Sequence, residues 1–189
     1  MKVEQCMTRD PKTCSVSDTL DRAAQLMWDE DCGCLPVVDG VRRLLGMITD
    51  RDICMAAYTQ GQPLHMLHVG GAMAKTVYSC GHKDEIESVQ KTLRSHQVRR
   101  LPVIDRDGCV IGILSLSDIA RLAAPLGKPV TSMAPDVVQT LAAVSQPRRK
   151  VEPLRATATS PSGREDKQIL TPLGSRRNDE QQPAGRINR

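Results

Sequence analysis

The fold of this chain is decided by residues 46–52, which read Gly46-Met47-Ile48-Thr49-Asp50-Arg51-Asp52, and by their counterpart 66 positions later, Gly112-Ile113-Leu114-Ser115-Leu116-Ser117-Asp118. The same offset, extended in both directions without a gap, also aligns Leu35-Pro36-Val37 with Leu101-Pro102-Val103. Chance does not align so many unlike residues at one spacing. The chain therefore contains an internal repeat, and such a repeat determines the architecture.

Each copy of the repeat predicts the same order of helices and strands. Apolar residues at helical spacing precede the Leu-Pro-Val run, so a helix with one apolar face comes first. These residues are Leu20, Ala23, Ala24 and Met27 in one copy and Ile86, Val89 and Leu93 in the other. Two short strands separated by turn residues follow, and a second helix begins near Asp52 and Asp118. The prediction is an α/β fold of helix, strand, strand and helix, present twice.

The double unit resembles a tandem pair of CBS domains, the cystathionine-β-synthase-type regulatory module, of the stand-alone bacterial type. The resemblance rests on matching segments in both copies. They are Met7-Thr8, Leu35-Pro36-Val37-Val38-Asp39, residues 46–52, Met73, residues 99–105 and residues 112–118. It implies two α/β repeats packed as a pseudo-twofold module, with the first repeat at residues 1–60 and the second repeat at residues 67–125.

The resemblance also implies a binding site for an adenosine ligand such as AMP, ADP, ATP or S-adenosylmethionine. In that family the Gly-x-x-Thr/Ser-x-x-Asp segment holds the ribose of the ligand. The positions that match this segment are Thr49, Asp52, Ser115 and Asp118. A carboxylate at a strand-to-helix junction can accept both ribose hydroxyls, as in dinucleotide-binding folds. The same spacing is typical of N-capping boxes, and the two roles are compatible because a capping hydroxyl is already held in place.

Two basic residues stand where the phosphates of such a ligand could bind. Arg99 and Arg100 directly precede the second Leu-Pro-Val run. The first copy has Gly33 and Cys34 at the matching positions. A basic pair at this junction resembles the phosphate-binding groups of the family, and the guanidinium fork suits that task. Arg51 adds charge beside the first motif. The alternative is that the two arginines face solvent, as most arginines do.

The composition narrows the class of protein. Phe is absent, and the 189 residues include one Trp and two Tyr, so the core must be aliphatic and aromatic platforms for single-stranded nucleic acid are missing. The chain shows neither a signal-peptide pattern nor a stretch apolar enough to span a membrane, which predicts a cytoplasmic protein without membrane contact. Seven cysteines, odd in number and without framework spacing, agree with that compartment.

Candidate catalytic machinery is missing from the sequence. No nucleophile elbow, zinc-protease motif or phosphate loop is present, so we predict that the protein is not an enzyme and requires no metal. Cys32-Gly33-Cys34 is the one cysteine cluster, and it has neither a second pair nor histidines at zinc-site spacing. Buried thiols at a helix-to-strand junction are the preferred interpretation. A redox or zinc-responsive sensor is the alternative.

The composition changes after residue 125. Four apolar residues at helical spacing predict an amphipathic helix over residues 133–146, packed on the repeats or on a twin subunit. They are Val137, Val138, Leu141 and Val144. Residues 147–189 lack apolar periodicity and are predicted to form a disordered tail. The tail is basic, because residues 145–189 hold ten Lys/Arg against five Asp/Glu.

The predicted function is that of a homodimeric module that binds an adenosine nucleotide, senses its level and signals to a regulated protein. The dimer is expected because the second helix of each copy carries apolar residues on more than one face. They are Ile53, Met55, Ala56, Ile119, Leu122 and Ala123. The alternative is a dimeric interaction scaffold whose basic tail contacts nucleic acid or an acidic partner. We do not expect nucleic acid as the main partner, since the positive charges are dispersed.

Removal of the tail should leave folding and ligand binding unchanged, because a segment with so little apolar content cannot offset its own ordering entropy. A chain that stops after Gln146 is expected to keep the melting temperature and the nucleotide affinity of the full chain, both measured by calorimetry. A clear decrease in either quantity would show that the tail packs on the folded part.

Overall fold

The computed structural model describes residues 1–125, 129 and 131–147. The strands in these ranges are β1 (Thr8–Arg9), β2 (Cys14–Ser15), β3 (Cys34–Val38), β4 (Leu44–Thr49), β5 (Cys80–Gly81), β6 (Arg100–Ile104) and β7 (Val110–Ser115). The helices are α1 (Leu20–Asp29), α2 (Asp50–Gln60), α3 (Val69–Ala72), α4 (Ile86–His96), α5 (Leu116–Ala123) and α6 (Ala134–Val144). None of these helices combines the length and the apolar character that a membrane span needs. The predicted tail lies outside the described residues from residue 148 onward.

The predicted order of elements is confirmed in both repeats. The first repeat contains α1, β3, β4 and α2, and the second contains α4, β6, β7 and α5. In each repeat the two longer strands form an antiparallel hairpin, and a two-residue strand pairs with the hairpin in parallel. The sheets have the orders β2-β3-β4 and β1-β7-β6-β5. Helix α6 packs against α4 and α5, so it covers the second repeat.

The backbone at the start of each repeat is hydrogen-bonded to the other repeat. Val3 N–H donates to the carbonyl of Asp84 at 3.0 Å. Val69 N–H, 66 positions later, donates to the carbonyl of Asp18 at 2.8 Å. The two contacts are the same contact repeated by the pseudo-twofold arrangement. The first residues of each repeat therefore pack on the other repeat.

The same exchange continues in the sheets. Strand β1 belongs to the first repeat in sequence but pairs antiparallel with β7 of the second, with Thr8 opposite Ile113. The matching bridge joins Ala74, from the start of the second repeat, to Met47 in β4. The second sheet therefore contains a strand from the first repeat, and the first sheet is extended by a bridge to the second repeat.

Each repeat has its own aliphatic core, as the lack of Phe requires. The first core includes Leu20, Ala23, Met27, Leu35, Val37, Ile48 and Ile53. The second includes Ile86, Val89, Leu93, Leu101, Val103, Leu114 and Ile119. The exchange also reaches the cores, because Val3 and Met7 are buried in the second and Val69 in the first. The predicted apolar helix faces are thus the faces that the sheets cover.

The glycines that open the two motifs are required by this exchange. A Cβ added to Gly46 would lie 2.8 Å from both Met73 Sδ and the carbonyl oxygen of Ala74. A Cβ added to Gly112 would lie 2.6 Å from Met7 Sδ. At both positions the exchanged segment of the other repeat occupies the space that a side chain would need. Only glycine allows this approach without a shift of the neighbouring chain.

Gly46→Ala and Gly112→Ala should each lower the free energy of unfolding by about 1–3 kcal/mol, the usual cost of an overpacked contact. Gly40→Ala is the matched control, because nothing lies within 4 Å of a Cβ at that position. Its effect should stay within about 0.5 kcal/mol. Denaturant unfolding of the three variants measures the difference, and equal losses in all three would contradict the role given to the motif glycines.

Candidate functional site

The first predicted ribose-binding pair forms a reciprocal cap at the start of α2. Thr49 is the N-cap residue, with extended backbone angles of φ −120° and ψ 162°. Its backbone N–H and its hydroxyl both donate to Asp52 Oδ2, at 2.9 and 2.7 Å, and Asp52 N–H donates to Thr49 Oγ1 at 3.2 Å. Within the described residues, Asp52 Oδ1 accepts no hydrogen bond. The carboxylate is therefore fixed through one oxygen and keeps the other available.

The second pair repeats this geometry with one difference. Ser115 N–H and Oγ–H donate to Asp118 Oδ2 at 2.8 and 2.6 Å, and Asp118 N–H donates to Ser115 Oγ at 3.2 Å. Here the second oxygen, Asp118 Oδ1, forms an ion pair with Arg121. The residue at the position of Arg121 in the first repeat is Met55. The first carboxylate is open, whereas the second is already paired.

The N-capping interpretation of the motifs is confirmed by both capping boxes. Each strand ends in an extended residue whose hydroxyl and N–H reach the third residue of the following helix, which is the geometry of this box. The carboxylate thereby lies at the positive end of a helix, where a negative charge is favoured. Ribose binding by the same four residues stays a prediction.

Arg100 is brought to the second motif by strand pairing, since it lies opposite Ser115 in the register of β6 and β7. Its half-buried side chain extends towards the first repeat. The guanidinium Nη1 lies 3.7 Å from the position that a Cβ on Gly33 would occupy, and Asp50 Oδ2 lies 3.0 Å from that same position. Arg100 therefore connects the second motif with the junction of β3 and α2 in the first repeat.

The other two predicted arginines are more exposed. Arg99 precedes β6, and its backbone carbonyl accepts a hydrogen bond from Leu116 N–H at 2.8 Å. Arg51 lies on the first turn of α2, and its N–H donates to Asp50 Oδ1 at 2.7 Å. Both side chains are on the surface. They are near the motifs along the chain, whereas the side chain of Arg100 lies beside groups of the other repeat.

The cysteine cluster contains one buried and one half-buried thiol. Burial raises the pKa of the Cys34 thiol, and the nearby Arg100 guanidinium opposes that shift. A protonated, buried thiol is a poor nucleophile and a poor metal ligand. Cys32 Sγ–H donates to the carbonyl of Cys34 at 3.5 Å, and all seven cysteines are free. Among the described residues, no group of three or more His, Cys, Asp or Glu side chains could hold a metal ion.

Two cavities lie beside the repeats, and Asp50 of the first motif lines one of them. One, of about 490 Å³, is in the first repeat between α1 and α2. The other, of about 360 Å³, is in the second repeat, between the turn after β5 and the turn after β6. Thr49, Asp52, Ser115 and Asp118 line neither of them.

Two charged residues beside the motifs, Arg121 and Asp50, make contacts that the sequence patterns did not predict. The pair Asp118-x-x-Arg121 has the spacing at which side chains meet on a helix, so its ion pair could have been predicted. The same comparison of the two copies would have shown Met55 in place of the arginine. The position of Asp50 beside Arg100 depends on how the two repeats pack, and no local pattern reports that packing.

Comparison with known proteins agrees with the resemblance noted from the repeated motifs. The family model of the CBS domain matches residues 3–58 and 69–124. The CBS domain-containing protein YhcV of Bacillus subtilis (strain 168) is 35% identical over 119 residues, which cover 62% of this chain and 82% of that protein.

Among the similar solved structures are two with sequence identities above a quarter. CBSX2, solved in complex with AMP, is 27% identical with a TM-score of 0.59, and the match covers 67% of this chain and 98% of that chain. Hypoxic Response Protein I, solved with two coordinated zinc ions, is 31% identical with a TM-score of 0.59, over 64% of this chain and 98% of that chain.

Thr49→Ala and Ser115→Ala should each lower the free energy of unfolding of the ligand-free protein by about 0.5–2 kcal/mol, because each removes an N-cap hydroxyl. Thr49→Ser and Ser115→Thr are the matched controls, since both keep a hydroxyl at the cap, and they should retain most of the stability. Thermal unfolding without ligand separates capping from binding. If the alanine variants were as stable as the hydroxyl-retaining ones, the caps would contribute nothing.

Proposed function

The chain belongs to the CBS-domain family, and from that premise we propose that it binds an adenosine nucleotide and passes the level of that ligand to a regulated protein. CBS domains are in general regulatory and non-catalytic modules. The proposed ligands are AMP, ADP and ATP, which would make the module a sensor of energy state in the cytoplasm. CBSX2 gives a precedent, because its structure was determined with AMP.

The observation that supports the proposal most directly is the state of Asp52. Its Oδ2 is held by two hydrogen bonds from Thr49, which fix the carboxylate in position. Its Oδ1 has no donor from the described residues and can accept a ribose hydroxyl. A carboxylate that is already oriented loses little conformational freedom when a ligand binds. The Thr49 cap thus orients the Asp52 carboxylate before a ligand binds.

The phosphates are proposed to bind at the second motif, where Arg100 lies opposite Ser115. A guanidinium offers a planar fork of donors that matches a phosphate. Arg99 directly precedes Arg100, and its exposed side chain adds positive charge. The carboxylate of Asp118 must then face the ribose, because a second negative charge near the phosphates would repel them.

The two sites are proposed to differ in preference. The first has an open carboxylate but carries Gly33 and Cys34 where the second has its arginines. The second has the arginines, but Asp118 Oδ1 is occupied by Arg121. Its arginines can pair with phosphates, which uncharged adenosine lacks. The second site should therefore favour the charged ligand.

Arg100 also offers a route from binding to signal. Without ligand its guanidinium lies beside Gly33 and Asp50 in the first repeat. A phosphate that draws the guanidinium towards the second motif would remove this contact between the repeats. Since a ligand shifts a conformational equilibrium only through contacts that differ between two states, this arginine supplies such a difference. A partner protein that binds at the junction of the two repeats would respond to the loss of this contact.

Replacing Arg99 and Arg100 together by alanine should weaken the binding of ATP or AMP more than that of adenosine, by about 1–3 kcal/mol, the scale of hydrogen bonds to charged groups. Asp118→Ala should instead weaken all three ligands to the same extent, because it removes the ribose contact that they share. Isothermal titration calorimetry of both variants measures the two patterns.

Single variants refine this test. Arg100→Ala should account for most of the loss, and Arg99→Ala for little, because only Arg100 is held at the motif. Arg106→Ala, in the turn after β6, is a control for the general loss of a positive charge. Equal losses for adenosine and ATP in the double variant would remove the arginines from the phosphate site. Absence of binding by any adenosine ligand to the unmodified chain would overturn the proposal as a whole.

A further inference from the structure

A groove runs between the two long helices of each repeat, and helix α6 fills the second groove, between α4 and α5. Val137 and Val144 of α6 are buried in the second core. Between them, Thr140 Oγ1 accepts a hydrogen bond from Arg94 Nη1 at 3.0 Å and lies 3.0 Å from Gln90 Oε1. The second groove therefore holds its occupant by apolar contacts and by a few polar groups, one of which is a cation.

The first groove, between α1 and α2, contains the cavity of about 490 Å³. Its space is open among the described residues, whereas α6 fills the second groove. Met27 and Ile53 form the buried part of its lining, with 5% and 6% of their surface exposed. Its volume is within the range of small-molecule pockets, roughly 300–1,000 Å³. The first groove thus has the apolar base and the size of a ligand site.

The charge of the cavity differs from that of the second groove. Three of its lining residues have counterparts of another chemical type in the second repeat. The 66-residue offset pairs Trp28 with Arg94, Asp31 with Gln97 and Asp50 with Leu116. The first groove therefore lacks the cation that the second groove obtains from its own chain, and it has two carboxylates and an indole instead.

The two carboxylates keep most of their negative charge available to the cavity. Asp31 and Asp50 are both exposed, and neither forms an ion pair with a described Lys or Arg. The Arg100 guanidinium, which lies beside Gly33 without lining the cavity, interacts with the charge of Asp50. It offsets one of the two charges in part, and Asp31 is the more independent carboxylate.

This lining favours a positively charged ligand over a neutral or a negative one. A ligand that enters the cavity displaces water from the carboxylates, and loss of water from a charged group costs free energy unless an opposite charge replaces it. A neutral ligand supplies no such charge, and an anion is repelled. The Trp28 side chain is 84% exposed, so the face of its ring is available to attract a cation as well.

We propose that the first groove binds a small organic cation, an amine or guanidine group attached to an apolar body, in a site separate from the nucleotide site. The apolar body packs on Met27 and Ile53. The charged group contacts Asp31 and Asp50 and lies against the ring of Trp28. The side chains proposed to hold the ribose do not line this cavity, so the cation site does not rest on nucleotide binding.

Three small probes of the same shape test the preference for positive charge. They are 2-phenylethylamine, 2-phenylethanol and phenylacetate, each titrated into the full chain without nucleotide. Binding is measured by calorimetry and by the emission of Trp28, the single tryptophan of the chain. The amine should bind about tenfold more tightly than the alcohol, the combined scale of exposed charge pairs and a cation–π contact, and phenylacetate should bind most weakly.

Equal affinity for the amine and the alcohol would show an apolar pocket without charge selection, and would overturn the proposal. Absence of amine binding at millimolar concentration would overturn it as well. Because no nucleotide is present in these titrations, either failure leaves the proposed nucleotide site untouched.

Variants that copy the second repeat locate the site. Asp31→Gln introduces the residue found at position 97, and the backbone accepts it because φ is 47° at Asp31 and 50° at Gln97. It should weaken amine binding by about two- to fivefold, the range of an exposed ion pair, and leave the alcohol unchanged. Trp28→Arg places a cation in the cavity and should remove the preference for the amine. Melting temperatures near that of the unmodified chain show that the variants fold.

Asp29→Asn is the matched control for the general loss of a negative charge. Asp29 belongs to the same helix but lines neither of the two cavities, and its Oδ1 accepts a hydrogen bond from Gln25 that asparagine can keep. Its replacement should leave amine binding unchanged. Equal losses in Asp29→Asn and Asp31→Gln would show that the amine responds only to the overall charge. That result, or a preference for the amine that persists in Trp28→Arg, would overturn the assignment to the first groove.

Discussion

The structure depends on the close approach of each exchanged segment to a glycine of the other repeat, Gly46 or Gly112. At each glycine the start of the other repeat passes so near that a methyl group has no room. This contact permits the exchange in which β1 joins β7 and Ala74 bridges to β4. The exchange in turn buries Val3 and Val69 in the core of the opposite repeat. The two repeats consequently form one folding unit, although they follow one another in the sequence.

The hydroxyl and carboxylate of each motif perform a structural task that also prepares a chemical one. In the capping box, Thr49 or Ser115 fixes one oxygen of the aspartate at the start of a helix. The other oxygen is left for a different contact, and the two repeats use it differently. In the first it is open, and in the second it holds Arg121. The two sites share a sequence motif but differ in whether the second carboxylate oxygen is available to a ligand.

Much of this organisation could be predicted from the repeat. The 66-residue register predicted the order of helices and strands, and the Thr49/Asp52 and Ser115/Asp118 pairs were found where the spacing placed them. The exchange could not be predicted, because β1 has two residues and so no alternating pattern. Nor could the place of α6 be predicted. Its valines predict an apolar face, but the choice of the second groove depends on Arg94 and Gln90, which become neighbours only in the folded chain.

The exchange of N-terminal segments also bears on the order in which the ribosome makes this chain. Thr8 pairs with Ile113, a residue synthesised more than a hundred positions later. At about 5–20 residues per second, the first segment waits several seconds for its partner strand. During that time Val3 and Met7 have no core to enter, and the first repeat cannot be completed before the second begins to emerge. A duplication that made the module symmetric has thus made its first half dependent on the arrival of its second.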